Sequence, residues 1–246
     1  MSKIPLYGFN NLTKSLSFSL YKLHYVHEPL SVHSYKKHIN IRFSAAELAA
    51  LLDSICHFIG GTVLNIAKQD YQPQGASVTL MISEEAQPES LVAHLDKSHL
   101  CIHTYPEESP QDGIAIFRAD IELSTCGVIS PLKVLNYVIE EFNADVIDID
   151  YRVRGMTRDS KGKKLFIDET LENVSDYLSD KLKASFDIED HNQITHNLFH
   201  TKLCKKEINL KDCLFESTMN DLTLQQQTDI KTQFKKELQQ LFTNSA

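Results

Sequence analysis

Three successive stretches of this chain alternate apolar and polar residues with a period of two, and that pattern limits what the chain can become. In GASVTLMIS, Ala76, Val78, Leu80 and Ile82 are interleaved with Ser77, Thr79 and Met81. SHLCIHTY continues the pattern, and IAIFRADIELS sets Ala115, Phe117, Ala119, Ile121 and Leu123 against Arg118, Asp120, Glu122 and Ser124. Successive side chains of a strand leave opposite faces of its sheet, so each stretch predicts a strand with one face on a core. The other face is polar, or lines a site.

Helical spacing surrounds these strands. Ser44 followed by Glu47 is a helix-start signature, and Leu48, Leu51, Leu52, Ile55 and Ile59 then recur on one stripe until Gly60-Gly61 stops it. Gly127 breaks the third alternating run, and Ser130-Pro131 opens a second helix with Leu132, Leu135, Ile139 and Phe142 on its apolar side. DVIDIDYRVR reads as a further strand. Residues 1–155 are therefore expected to form an α+β core, an antiparallel sheet with helices packed on one face as a two-layer sandwich. Past Gly155, ETLENVSDYLSDKL and LQQQTDIKTQFKKELQQLF read as polar helices. Residues 156–246 are expected to be a helix-rich extension of the same domain.

Charge and composition exclude several classes of function. The 246 residues carry 33 Asp and Glu against 25 Lys and Arg, a formal charge of −8 without any basic run, which argues against a nucleic-acid partner. The longest aliphatic run, Leu48 to Leu52, is far below the ~20 residues of a membrane span. MSKIPLYGFN lacks the apolar stretch of a secretory signal, so no membrane and a cytoplasmic location are expected. Five cysteines, Cys56, Cys101, Cys126, Cys204 and Cys213, include no CxxC pair, unlike a disulfide framework or a zinc knuckle. Most such cysteines are small buried hydrophobes.

The stretch HLDKSHLCIHTYPE, from His94 to Glu107, concentrates three His, one Cys and one Ser. On a strand, His99, Cys101 and His103 point one way while Ser98, Leu100 and Ile102 point the other. One short strand spaces such ligands too widely to enclose a tetrahedral zinc without help from elsewhere, so no metal is assigned. Taken alone, the stretch reads as a strand with partly satisfied histidines.

HLDKSHLCIHTYPE followed by FRADIELSTCGVISPLKVLNY resembles the S-adenosylmethionine decarboxylase proenzymes, and the subgroup of enteric bacteria and their relatives in particular. The likeness extends to YGFNNLTKSLSF, LNIAKQDYQPQGASVT, DYRVRGMTRD and NLFHTK, six ordered blocks from Leu6 to about Lys202. The chain departs from the subgroup in MISEEAQPES, which is short, and between Tyr21 and Ile41.

The resemblance implies a precursor that cuts its own backbone between Lys97 and Ser98. Ser98 Oγ attacks the Lys97 carbonyl, an ester forms through a tetrahedral oxyanion, elimination leaves a dehydroalanine, and its imine tautomer is hydrolysed with loss of ammonia to a pyruvoyl group. His103, five residues after that serine, is implied to be the proton acceptor in maturation, and an ordinary imidazole pKa of about 6.5 suits the task. The pyruvoyl ketone is then the covalent cofactor, taking the substrate amine as a Schiff base and acting as electron sink for decarboxylation. Cys126, between a strand end and a helix start, matches the proton donor to the substrate α-carbon; without the resemblance it reads as a buried strand-end hydrophobe.

The implied activity is decarboxylation of S-adenosylmethionine to the aminopropyl donor for spermidine synthesis. Its rivals are a pyruvoyl-dependent decarboxylase of arginine or ornithine, and an unprocessed regulatory homologue, against which intact Ser98, His103 and Cys126 count. Aromatic faces suit adenine and sulfonium, with no residue singled out. Arg118, Arg152 and Arg154 are conceivable carboxylate partners, and a salt bridge is the plainer reading of each. The subgroup is associated with magnesium activation, although no carboxylate cluster places an ion. Self-association into four αβ pairs, with sandwiches stacked as αββα, is also implied.

Overall fold

The computed structural model describes residues 6–26, 29–83, 98–107, 110, 113–126, 129–215 and 219–245. The chain opens with β1 (Leu6–Asn10), β2 (Thr13–Tyr25), α1 (Pro29–Arg42) and α2 (Ala45–Ile59). Then come β3 (Thr62–Asp70), β4 (Ala76–Ser83), β5 (His99–Pro106), β6 (Ile114–Cys126), α3 (Leu135–Phe142) and β7 (Val146–Arg154). The remainder holds β8 (Thr157–Asp159), β9 (Lys164–Leu165), α4 (Asp180–Ser185), β10 (Phe186–Asp190), β11 (Leu198–Lys205) and α5 (Leu224–Thr243).

Eight strands form one antiparallel sheet in the order β10-β11-β7-β2-β6-β5-β4-β3, and β1, β8 and β9 form a small second one. The central strand β2 pairs with β6 from Thr13↔Cys126 to Tyr25↔Ile114, and with β7 from Thr13↔Arg154 to Tyr21↔Val146. One end of the sheet thus carries Cys126, Thr13 and Arg154 in a single row.

The alternating runs fold as their period predicts. Leu16, Phe18 and Leu20 of β2 share a buried face with Leu80, Leu100, Ile102, Phe117, Ile121 and Ile149 of the neighbouring strands. Over that face lie Leu48, Leu52 and Ile55 of α2, Leu135 and Ile139 of α3, and Tyr35 and Ile39 of α1. Each such side chain, fully buried, contributes about 1.5–3 kcal/mol. Helix α2 has the expected ends. Ser44 Oγ accepts from the Glu47 N–H at 3.3 Å, and Gly60, at φ 88°, lets the chain turn left-handed out of the helix. Pro131 opens a 3-10 turn, 131–134, that runs straight into α3. Gly127 lies outside the described residues.

Past Gly155 the structure departs from the polar helices read there. ETLENVSDYLSDKL is divided, because Asn173 caps a 3-10 turn at 174–177 and Ser179 caps a new start, accepting from the Leu182 N–H at 3.3 Å. Only α4 results. β10 and β11 then extend the main sheet, with Phe199, Thr201 and Leu203 on its buried side. Helix α5 forms where its pattern predicts and lies on the opposite sheet face. There Ile230, Phe234, Leu238 and Phe242 cover Leu23, Ile114 and Val146. Among the described residues no helix is long and apolar enough to cross a membrane.

Candidate active site

Ser98 stands just before β5, and Cys126 is the last residue of β6. The antiparallel register His99↔Ser124 brings these strand ends together. Ser98 is 3% exposed, and its Oγ lies 3.4 Å from Cys126 Sγ, either atom able to donate. A hydroxyl that solvent scarcely reaches is therefore held against a half-buried thiol. Lys97 and His94 lie outside the described residues.

His103 does not join them. It faces Asp120 of β6 and Ser77 of β4, on the polar face that it shares with His99 and Cys101. Five residues along a strand correspond to about 16 Å, so within one chain Ser98 and His103 are separated along the strand. Burial and the nearby Glu122 carboxylate push the Cys101 thiol up, which disfavours a thiolate. Among the described residues no group of three or more His, Cys, Asp and Glu side chains could hold a metal ion.

The same polar face forms the floor of an open cavity of about 590 Å³ beside the Ser98 end of the sheet. Ser15, Glu122, Ser124, Asp150, Arg152, Arg154, His99 and His200 are among its lining residues. Arg154 Nη2 donates to Ser15 Oγ at 3.2 Å, and His200 Nδ1 lies 2.8 Å from Asp150 Oδ1. Two carboxylates and two guanidiniums lie on one floor, so a ligand carrying both signs of charge finds partners for each. Arg118 is elsewhere, 3.3 Å from Asp120 and 4.3 Å from the Tyr105 ring centroid, in a surface ion pair.

Sequence reading passed over Lys14. It is fully buried, with Nζ 2.7 Å from Asp168 Oδ2 and 3.3 Å from the Ile129 carbonyl oxygen. The signal was a lysine in apolar phase, between Leu12 and Leu16. A cation there needs a buried partner, and the partner lies 154 residues away.

An α+β sandwich with a serine and a cysteine in contact at one end of its sheet defines the molecule's class. The model of the family described as S-adenosylmethionine decarboxylase matches residues 31–155. The S-adenosylmethionine decarboxylase proenzymes of Escherichia coli strains SMS-3-5 / SECEC and 55989 / EAEC are each 46% identical over 256 residues, covering 98% of this chain and 97% of theirs. The crystal structure of the adenosylmethionine decarboxylase from Aquifex aeolicus is similar with a TM-score of 0.37 at 18% identity, over 67% of this chain and 100% of that one. The chain belongs to the S-adenosylmethionine decarboxylase family.

Proposed function

We propose that this chain is the self-cleaving precursor of an enzyme that decarboxylates S-adenosylmethionine, yielding the aminopropyl donor for spermidine synthesis. Full-length similarity to proenzymes of that name supports the reaction, and the 3.4 Å contact between Ser98 and Cys126 carries the assignment of its centre.

In maturation, Ser98 Oγ adds to the carbonyl carbon of Lys97 and the amide nitrogen leaves, so that an ester joins the two parts of the chain. Loss of the Ser98 α-proton then breaks the ester C–O bond. Lys97 departs as a carboxylate and leaves a dehydroalanine at residue 98, which tautomerises to an imine; water then adds and ammonia leaves, giving the pyruvoyl ketone. When present, that ketone supplies the sink for the electrons released with carbon dioxide. Cys126 Sγ, already at residue 98, returns a proton to the substrate α-carbon.

His103 is the proton acceptor of maturation in this reading, and it acts on a second copy. The polar face that bears it is open, and stacking two such faces as αββα lets His103 of one chain approach Ser98 of the other. Family resemblance extends this assembly to four αβ pairs. The cavity over the same face suits the substrate, with Glu122 and Asp150 for its ammonium and sulfonium charges and Arg152 or Arg154 for its carboxylate. Magnesium has no fitting donor set among the described residues, and no step is assigned to it. No disulfide joins the five cysteines, which supports a reducing, cytoplasmic compartment. Residues 156–246 are read as an extension of the 1–155 core.

Intact-mass measurement of purified protein tests the proposal. The expected result is two chains, 1–97 and 98–246, the second lighter by one ammonia than a serine-started chain and releasing carbon dioxide from S-adenosylmethionine. One uncut chain would overturn it.

A further inference from the structure

We infer that Lys14 is a positioning residue for Cys126, holding the Ile129 carbonyl while Asp168 holds Lys14. The inference rests on the role proposed above for Cys126.

In the β2–β6 pairing Lys14 lies directly opposite Thr125, one residue before Cys126. Thr125 Oγ1 donates to the Ile129 carbonyl oxygen at 3.1 Å, and Lys14 Nζ donates to the same oxygen at 3.3 Å. Both acceptor sites of one buried carbonyl are thereby filled, from the strand that precedes Cys126 and from the strand beside it. Lys14, Thr125 and Ser130 are fully buried, and Pro131, where the chain turns toward α3, is buried. Cys126 is consequently held by its pairing with Thr13, and the oxygen of Ile129, three residues on, is held by Lys14 and Thr125.

Stability alone does not account for this lysine. Exchanging a buried ion pair for apolar residues of similar volume is often neutral or stabilising, and a methionine fills much the same space. A methionine cannot donate to Ile129. Asp168 has no second use either, because its Oδ1 lacks a hydrogen-bond partner among the described residues. Its carboxylate serves to hold the ammonium in place.

The test compares Lys14→Met, the double variant Lys14→Met/Asp168→Asn, and Thr125→Val, all as processed enzyme. Lys14→Met leaves Asp168 buried without its counter-charge and lowers the unfolding midpoint. The double variant restores charge balance, so its midpoint recovers, while kcat stays depressed by about 10–100-fold, as for a misplaced catalytic group. KM stays within about twofold, since uniform binding is untouched. Iodoacetamide labelling of Cys126, followed by peptide mapping, reads the thiol's position independently of turnover. Labelling is expected to quicken about threefold or more as the segment loosens, in the double variant and in Thr125→Val. A stable double variant with wild-type kcat and wild-type labelling would make Lys14 merely structural. Should Lys14→Met and the double variant fail to fold, wild-type labelling in Thr125→Val overturns the inference. Normal turnover in Cys126→Ala defeats the role proposed for Cys126 and leaves the labelling result to stand by itself.

Discussion

Ser98 Oγ and Cys126 Sγ touch at 3.4 Å across 28 residues of sequence, so the nucleophile proposed for maturation and the proton donor proposed for turnover are neighbours. Ser98→Ala removes the attacking atom at the cost of one weak hydrogen bond, worth about 1 kcal/mol. The variant should be folded, inactive and intact by mass. A cut at the same bond would show that an outside protease does the work.

Cys126→Ala should separate the two roles. Chain cleavage survives, because the attack belongs to Ser98. Turnover falls by roughly 10²–10⁴, or about 3–5 kcal/mol at the barrier, the usual effect of losing a general acid. Without its proton donor the enzyme should also return protons to the wrong carbon and convert residue 98 to alanine during turnover. Mass measurement of the 98–246 chain after incubation with substrate reads this directly, and an unchanged mass together with normal rate would remove Cys126 from the mechanism.

His103 and Ser98 lie about 16 Å apart along one strand direction, which makes complementation between copies the decisive experiment. Ser98→Ala and His103→Ala chains, each uncut when expressed alone, should form mixed assemblies in which only the His103→Ala chain is cleaved, served by the histidine of its partner. Differently tagged copies allow each chain to be weighed. Unaided cleavage of the His103→Ala chain at the wild-type rate would refute the role.

Gly155 sits at φ +89° at the end of β7, where an added Cβ would clash with the Asn11 carbonyl oxygen and approach Asn11 Oδ1 to 2.9 Å. That is the same corner where the Met156 N–H donates to Asn11 Oδ1 at 2.8 Å. Gly155→Ala combines an unfavourable backbone angle with a clash against backbone, a cost of about 2 kcal/mol or more. Thermal melting should show a midpoint several degrees lower.

His24 should make stability depend on pH. Burial, and then Lys22 and His38, push it down to about 3, and among the described residues neither ring nitrogen has a hydrogen-bond partner. It packs against Tyr35, Phe215 and His38, with ring centroids 5.4, 5.2 and 6.1 Å away. The unfolded chain takes up this proton near pH 6.5. Between there and about 3 it therefore binds more protons than the folded chain. Stability is full above pH 6.5 and falls as pH drops through this window. His38, lowered by burial and Arg42, acts with the same sign. Urea midpoints at pH 8 and pH 5 should differ less for His24→Phe than for wild type, and equal differences would exonerate His24.

Period and capping made the centre of the fold legible. Alternation drew β4, β5 and β6, and Ser44 with Gly60 bounded α2, because those signals are local. β10 and β11 escaped notice because the alternation there is short and its buried face, Phe199, Thr201 and Leu203, includes a polar residue, while buried Lys202 and half-buried His200 occupy the other face. Asn173 and Ser179 were visible as polar residues, but as caps only once backbone geometry divided the segment between them. For the site, strand parity correctly set His99, Cys101 and His103 apart from Leu100 and Ile102. Parity says nothing about which strand ends meet, so the nearness of Ser98 and Cys126 required the register of β5 on β6. The Lys14–Asp168 pair spans most of the chain and leaves no local trace beyond a charge in an apolar phase.

Helix α5 has a consequence for access to the sheet. By covering Leu23 and Val146 it roofs one end of the face opposite the other helices, while among the described residues the rows from Ser15 to Arg154 border the open cavity. The molecule thus has a closed gable and an open doorway on the same wall. Any visitor to that wall, whether a small cation or another copy of the chain, is confined to the doorway, and Ser98 and Cys126 stand at its threshold.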